Sequence, residues 1–329
     1  MKVVITGATG FLGGWLARRL ATEGFDIHIL ARPNSDFSDL KGLSYKVHIG
    51  DVTDPSSLTN AFQDAEGVFH LAGVVAYKKA DRPLMEKVNV EGTLNVVNAI
   101  EKAKVPKILH LSSVVTVGAS KDPQHILNED SPYNLEHLNL GYFETKRKAE
   151  TIVRERAQKG NFDAIIVNPS TVYGAADAKK GSRSVQVKVA QGQFPFYTNG
   201  GASIVAVEDV IEGILQAWKK GRSGERYILS NENWTVKELF TAIAEEAGAL
   251  PPQYLLPTFA LHSVGFIGDM LRPFGFKGSI SRENAWTSTL YHWFDNSKAR
   301  RELGFNPRPA REAIRNSVNW MKEHGLLQK

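Results

Sequence analysis

An apolar run, Val3-Val4-Ile5, passes without a spacer into Thr6-Gly7-Ala8-Thr9-Gly10-Phe11-Leu12-Gly13, and the pattern beyond Gly13 turns helical as far as Gly24. A strand that bends through closely spaced glycines into a helix collects backbone N–H groups and the positive helix end at one point, where a pyrophosphate can sit. Gly7, Gly10 and Gly13 lie three apart, a GxxGxxG spacing; the strand before it and the helix after it give that spacing its meaning.

The same alternation continues through the first half. Ile27–Leu30, Tyr45–Ile49, Gly67–Leu71, Lys107–Leu111 and Ala164–Val167 are short β-branched or apolar runs. Between them lie helical patterns after Pro55, around Met85 to Ala103, and over Tyr142 to Arg156. Strands buried between helices imply βαβ units. The expected fold is α/β: a doubly wound parallel sheet of Rossmann type with a smaller, discontinuous α+β substrate lobe on its C-terminal side. We place the dinucleotide-binding core at 1–174, with 202–222 returning to it, and the substrate lobe at 175–201 and 223–329.

Composition narrows the chemistry. No cysteine occurs among the 329 residues, which excludes disulfides, thiolate metal sites and a cysteine nucleophile, and no metal is needed. The net charge of +5 comes from mixed-sign segments such as Lys146-Arg147-Lys148-Ala149-Glu150, so solvated helix faces are expected rather than a nucleic-acid stripe. The apolar stretch Pro257 to Phe276 is interrupted by His262, Asp269, Arg272 and Pro273, and is not expected to insert stably in a membrane. Because the first strand runs straight into the glycine turn, it cannot be a removable leader, and a cytoplasmic protein is the expectation.

Beyond the glycine turn, three places speak to a dinucleotide. The second strand ends Ile29-Leu30-Ala31-Arg32-Pro33, with a guanidinium where a carboxylate would bind a ribose 2′-OH, which favours NADP(H) over NAD(H). Asp36 or Asp39 could substitute as a loop-borne acid. Asp51-Val52 fits an adenine edge, although Asp51 could equally cap the following helix. Leu71-Ala72-Gly73 ends the fourth strand in small residues that let backbone approach a ribose.

Tyr142 and Lys146 stand four apart, on one face of a helix, and Leu111-Ser112-Ser113 ends a buried strand at the carboxyl edge where such sheets bind ligands. Ser113 would hold a substrate oxygen, Tyr142 would give or take a proton, and Lys146 would lower the phenol pKa while bonding the nicotinamide ribose.

On these motifs the chain resembles an extended short-chain dehydrogenase/reductase over nearly its whole length. The resemblance rests on the glycine turn, Asp51-Val52, His70-Leu71-Ala72-Gly73, Asn89-Val90-Glu91-Gly92-Thr93, Leu111-Ser112-Ser113, Tyr142 to Lys146, Asn168-Pro169-Ser170-Thr171-Val172-Tyr173-Gly174, and Val207-Glu208-Asp209-Val210. It implies cofactor contacts from Gly7, Thr9, Gly10, Phe11, Leu12 and Gly13, from Asn89, and from Pro169, Ser170, Thr171 and Val172, the last four at the carboxamide. It also implies Ser113, rather than Ser112, as the catalytic serine. Asn168-Pro169-Ser170-Thr171 departs from the Arg-Tyr-Phe-Asn usual in nucleotide-sugar enzymes, and the turn is similar to that of dihydroflavonol-reductase-like and hydroxysteroid-dehydrogenase-like reductases.

The expected substrate border is apolar and aromatic: Val75, Tyr77, Val114, Val115, Thr116, Tyr173, Phe194 and Tyr197, with a contribution from 257–276. Lys179, Lys180 and Arg183 look solvent-facing. These features point to an NADPH-dependent reductase of a lipophilic or aromatic ketone or aldehyde. The alternatives are a nucleotide-sugar epimerase or dehydratase with tightly bound cofactor, and a non-catalytic NADP-sensing regulator. Relatives of this kind often dimerise through two helices per subunit, and the helices over Asn89–Ala103 and Tyr142–Arg156 could do so here.

Overall fold

The computed structural model describes residues 1–178, 183–271 and 281–327. Lys179 and Lys180, and the part of the apolar stretch from Arg272 to Phe276, lie outside them. The strands are β1 (Lys2–Thr6), β2 (Asp26–Ala31), β3 (Lys46–Ile49), β4 (Gly67–His70), β5 (Lys107–Leu111), β6 (Asp163–Pro169), β7 (Thr171–Tyr173), β8 (Phe196–Tyr197), β9 (Gly201–Ala206), β10 (Arg226–Leu229), β11 (Glu232–Thr235), β12 (Tyr254–Leu255) and β13 (Tyr291–His292). Seven form one parallel sheet in the order β10-β6-β5-β4-β1-β2-β3. The chain reverses its direction of progress across the sheet between β1 and β4. There the crevice beyond the strand ends opens for a ligand.

Both faces are covered. Val3 and Ile5 join one core with Leu16 and Leu20 of α1 (Phe11–Thr22), while Val4 between them joins the other with Leu58 of α2 (Pro55–Phe62). Consecutive strand residues point to opposite faces, so an unbroken apolar run needs helices on each side. The helical stretch from α3 (Arg82–Met85) through a π-turn (Glu86–Glu91) into α4 (Gly92–Ala103), together with α5 (Gly141–Ala157), lies on the α2 side.

A second body is built around β9, which pairs with β11, β13 and β7. It is covered by α6 (Ser184–Ala190), α8 (Val236–Ala247) and α12 (Ala310–Glu323). A capping box between Thr235 and Glu238 starts α8, and Gly248 in left-handed conformation ends it. Two of the expected boundaries change. β10 and α11 (Ser297–Leu303) belong to the main sheet and its core, not to the lobe drawn at 223–329. Of the returning segment 202–222, α7 (Val207–Lys220) packs on the main core but β9 lies in the small sheet. The rhythm of a sequence reveals a strand; its partner is set by register with distant residues.

The stretch from 257 onwards forms α9 (Thr258–Leu271), followed by α10 (Arg282–Thr287). It is not core packing: Phe259 is 76% exposed, and Val264, Phe266, Ile267 and Met270 are exposed too. Among the described residues no helix is long and apolar enough to cross a membrane.

Candidate active site

Crowding explains two of the three glycines. Gly7 has φ +76°, and a Cβ there would lie 2.7 Å from main-chain atoms of Leu71 and Ala72; a Cβ on Gly13 would lie 2.1 Å from the Gly7 carbonyl oxygen. Only glycine lets β1, the start of α1 and the end of β4 meet so closely. The N-terminus of α1 has no side-chain cap and no acidic residue in its first turn. Its first N–H groups therefore keep their partial positive charge for a ligand, with the half-buried Thr9, Phe11 and Leu12 around them. These features fit a pyrophosphate.

Arg32 follows the last residue of β2, is exposed, and has no ion pair among the described residues. The Asp36 carboxylate accepts from the Ser38 N–H (2.9 Å) and hydroxyl (3.0 Å), so it organises its own turn. Asp51 accepts from the Thr53 N–H at 2.8 Å, while the cap of α2 is Asp54, which accepts from Ser56 N–H; the helix-cap alternative for Asp51 is thus overturned. Asp54 has the advantage of standing directly before Pro55 at the first helical position. Val52 is buried against Gly92 of α4.

Behind the glycine turn lies a polar chain that the motifs alone do not announce. The Ala72 N–H donates to Thr6 Oγ1 (3.2 Å), which lies 2.7 Å from His70 Nδ1, and His70 Nε2 lies 3.0 Å from Thr93 Oγ1, which donates to the Asn89 carbonyl (2.6 Å). Only one arrangement of protons satisfies every member: the Thr6 hydroxyl donates to Nδ1, and Nε2–H donates to Thr93. Burial, with a smaller push from Lys146, holds the His70 pKa down at about 3, so the ring is neutral. Asn89 sits in the π-turn, where its Oδ1 accepts from Val74 N–H (2.7 Å) and its Nδ2 donates to the Val74 carbonyl (3.0 Å) and Thr145 Oγ1 (3.2 Å). It thereby ties the segment after β4 to α5. An extra residue in a helical turn re-aims a side chain, a common device at functional sites.

Helix α5 presents Tyr142, Lys146 and Glu150 inward at four-residue intervals, and all three are buried. Lys146 Nζ donates to the Leu111 carbonyl at the end of β5 (2.7 Å) and lies 3.9 Å from where a Gly73 Cβ would be. Gly73 follows the same Leu71-Ala72 backbone that Gly7 packs against, so the ammonium and the glycine turn share one strand end. Burial lowers the Lys146 pKa to about 8, opposed by Glu150. The Tyr142 phenol is pushed upward by burial and by Tyr77, and a hydrogen bond with Ser113 pulls it back. The expectation that Lys146 lowers this phenol is therefore not met in this arrangement: the ammonium is directed at the Leu111 carbonyl, and the phenol is raised.

Ser112 and Ser113 separate cleanly. The Ser112 hydroxyl is buried and donates to Glu150 Oε2 (2.5 Å), whereas Ser113 caps a single turn over Val114–Thr116 and faces Tyr142. Pro169 ends β6, and the Ser170 N–H donates to the Leu229 carbonyl (3.1 Å). The buried Ser170 hydroxyl has no hydrogen-bond partner among the described residues. A buried hydroxyl of that kind asks for a polar ligand. Thr171 and Val172 continue into β7, with Val172 in the main core.

The expected substrate residues divide. Tyr77 meets Tyr142 edge-on with ring centroids 5.9 Å apart, and Val115 packs in the same cluster with Val74 and Ala76. Val75 is exposed at the rim. Val114 turns the other way, into a core with Val117, Ile228 and Phe294, and the Thr116 hydroxyl is engaged by Ser113 O and Glu150. Tyr173, Phe194 and Tyr197 pack in the core of the second body, with Phe194 against Phe240. Arg183, expected in solvent, stacks over Tyr173 with its guanidinium 4.1 Å from the ring centroid, donates to the Val172 carbonyl and pairs with Asp177 at 3.7 Å. The sequence shows a cation in a loop; it does not show the aromatic ring and buried carboxylate that draw it inward.

Residues 3–230 match the model of the NAD dependent epimerase/dehydratase family. The chain belongs to that family. It is an extended short-chain dehydrogenase/reductase, and its parallel sheet with covered faces is the fold of its solved relatives. It is similar to a putative dihydroflavonol 4-reductase of Synechocystis sp. (30% identity; 98% of this chain and 95% of the relative) and to sterol demethylase protein B of Methylococcus capsulatus (30%; 99% and 100%). The crystal structure of gox2253 superposes with a TM-score of 0.88 at 35% identity, covering 99% of each chain. In this short-chain dehydrogenase/reductase the glycine turn, the Tyr142–Lys146 helix and Ser113 therefore stand in a family setting, and the geometry above supplies their local reasons.

Proposed function

We propose that the protein is an NADPH-dependent carbonyl reductase acting on lipophilic or aromatic ketones or aldehydes. One observation carries the reading: the Tyr142 phenol, near enough to Ser113 to be drawn down by it, shares the inward face of α5 with Lys146, beside Tyr77 and Val115, at the strand ends that also hold the glycine turn. A bound nicotinamide would supply hydride to the carbonyl carbon. Gly7, Gly10 and Gly13 with the open end of α1 would hold its pyrophosphate, Arg32 its 2′-phosphate, Asp51 and Val52 its adenine, Leu71 to Gly73 and Lys146 its ribose, and Ser170 its carboxamide. Ser113 orients the carbonyl oxygen and Tyr142 donates the proton to it. Burial keeps that phenol protonated near neutrality, which suits a proton donor in the reductive direction. The names of the dihydroflavonol reductase and sterol demethylase relatives support a lipophilic substrate for this chain.

The test is NADPH oxidation over a panel of aldehydes and ketones, with Tyr142→Phe as the control. Turnover of lipophilic carbonyls that disappears in the variant is expected; unchanged turnover in the variant removes the mechanism. Arg183 gives a nucleotide-sugar reading its one specific support, since a cation beside the Val172 turn influences Tyr77. Its guanidinium is engaged by Val172, Asp177 and Tyr173, which speaks for a structural role. Purification with tightly bound cofactor, no net NADPH consumption and competitive binding of a nucleotide-sugar would favour the epimerase instead.

A further inference from the structure

Below Lys146 on the same face of α5, Glu150 is 3% exposed, yet four donors converge on it. Its Oε2 lies 2.5 Å from Ser112 Oγ, 2.8 Å from Thr116 Oγ1 and 2.8 Å from Asn168 Nδ2; its Oε1 lies 3.2 Å from an Arg226 guanidinium nitrogen. Such a density of donors matches an ionised carboxylate, which has acceptor sites and no proton to place. One of those donors also holds the backbone of the serine: Asn168 Nδ2, which has two protons, lies 3.0 Å from the Ser113 carbonyl oxygen, while the single Thr116 hydroxyl proton serves either Glu150 or that carbonyl at 2.9 Å. Another, Ser112, is its neighbour in sequence.

We propose that Glu150 is a positioning residue for the reaction: its carboxylate fixes the Ser112–Thr116 turn that carries Ser113 beside Tyr142, and stands one helical turn from Lys146 on the same buried face as the counter-charge to that ammonium. This deepens the reductase reading and rests on it. Around Lys146 the titratable groups are Glu150 and Tyr142 on α5, His70 on β4 and His110 on β5. Both imidazoles are held neutral by burial, so Glu150 is the negative charge that acts on the ammonium. Around Glu150 the cation is Arg226 of β10, which also donates to the Glu129 carbonyl at 2.9 Å, while the Glu129 carboxylate accepts from the Ile228 N–H at 2.8 Å. Burial pushes the Glu129 pKa upward.

The experiment compares wild type, Glu150→Gln and the double variant Glu150→Gln/Arg226→Met, which removes the cation that the single variant leaves buried without its counter-charge. Two quantities are followed: the pH profile of kcat/KM with a carbonyl substrate found in the panel, and the Lys146 titration by NMR of 13C-labelled lysine, assigned with Lys146→Met. In wild type the ammonium should titrate, and activity should fall, as pH rises through the region near 8 where burial has placed Lys146. Loss of the carboxylate should move both transitions to lower pH by about one unit and lower kcat about tenfold more than it raises KM. A Lys146 titration unchanged in both variants, or a double variant that recovers the wild-type kcat and pH limb, overturns the proposal. Wild type that turns over no carbonyl would count against the reductase reading, while the Lys146 titration would still judge the electrostatic role of Glu150.

Discussion

Two helices invert the usual relation between sequence and burial, in opposite senses. In α5 a strongly polar segment, Gly141–Ala157, turns Tyr142, Lys146 and Glu150 into the protein, the last two held by hydrogen bonds with strand ends and turns. In α9 an apolar segment, Thr258–Leu271, turns Phe259, Phe266 and Met270 outward and keeps Leu261 inside. Burying charge costs free energy unless it is matched, so α5 keeps its buried groups only because β5, β6 and β10 supply partners. Exposed apolar side chains cost little in stability but leave a surface that water does not cover well. Reactivity belongs with the first kind of violation, where environment sets protonation.

That contrast can be broken most directly on α5. Tyr142→Phe should lower kcat/KM for a carbonyl by about 100- to 10,000-fold while leaving the melting temperature near that of wild type, as measured by NADPH oxidation and calorimetry. A variant that unfolds instead would make the phenol a packing group.

A pH experiment comes next. His70 behind the glycine turn and His292, whose ring lies 5.9 Å from Phe143 of α5, are held neutral by burial at about 3 and about 4. Unfolding returns each to a pKa near 6.5, so the unfolded chain binds more protons and stability falls as pH drops below that value. Denaturant titrations at pH 7 and pH 5 should show a loss of about 1.4 kcal/mol per histidine per pH unit in that window. Hydrogen exchange should show the loss at β4 and β13, the strands that carry these two rings.

Arg32→Ala gives a smaller effect, on a ligand rather than on the fold. The ratio of NADPH to NADH affinity should fall by about 10- to 100-fold, since one charge-assisted contact to a phosphate is removed. Equal preference in wild type and variant would end the NADP argument. Least of all, Phe259→Ser with Phe266→Ser on α9 should change unfolding free energy by within about 0.5 kcal/mol. A loss of several kcal/mol would mean that the apolar face of α9 is covered in solution.

Much of the site was legible because its chemistry is local in sequence. The glycine turn, the Tyr142–Lys146 spacing and Ser113 before its turn each lie within one strand end or one helix face, where a fixed period relates residue number to direction. What escaped reading depends on partners far along the chain: His70 between Thr6 and Thr93, Ser112 turned onto Glu150, Arg183 folded over Tyr173, and Val114 facing away from the pocket that Val115 joins. The division of the lobe failed for the same reason, since β10 reads as a late strand and its place beside β6 is a matter of register across 60 residues.

By itself the sequence determined that a parallel sheet would form with helices on both faces, because unbroken β-branched runs between amphipathic helices have no other way to bury both sides of a strand. It also determined that a phenol and an ammonium would share a helix face. Only the tertiary structure decided their charge states and their company, because desolvation and hydrogen-bond geometry arise when strand ends from across the sheet close around α5.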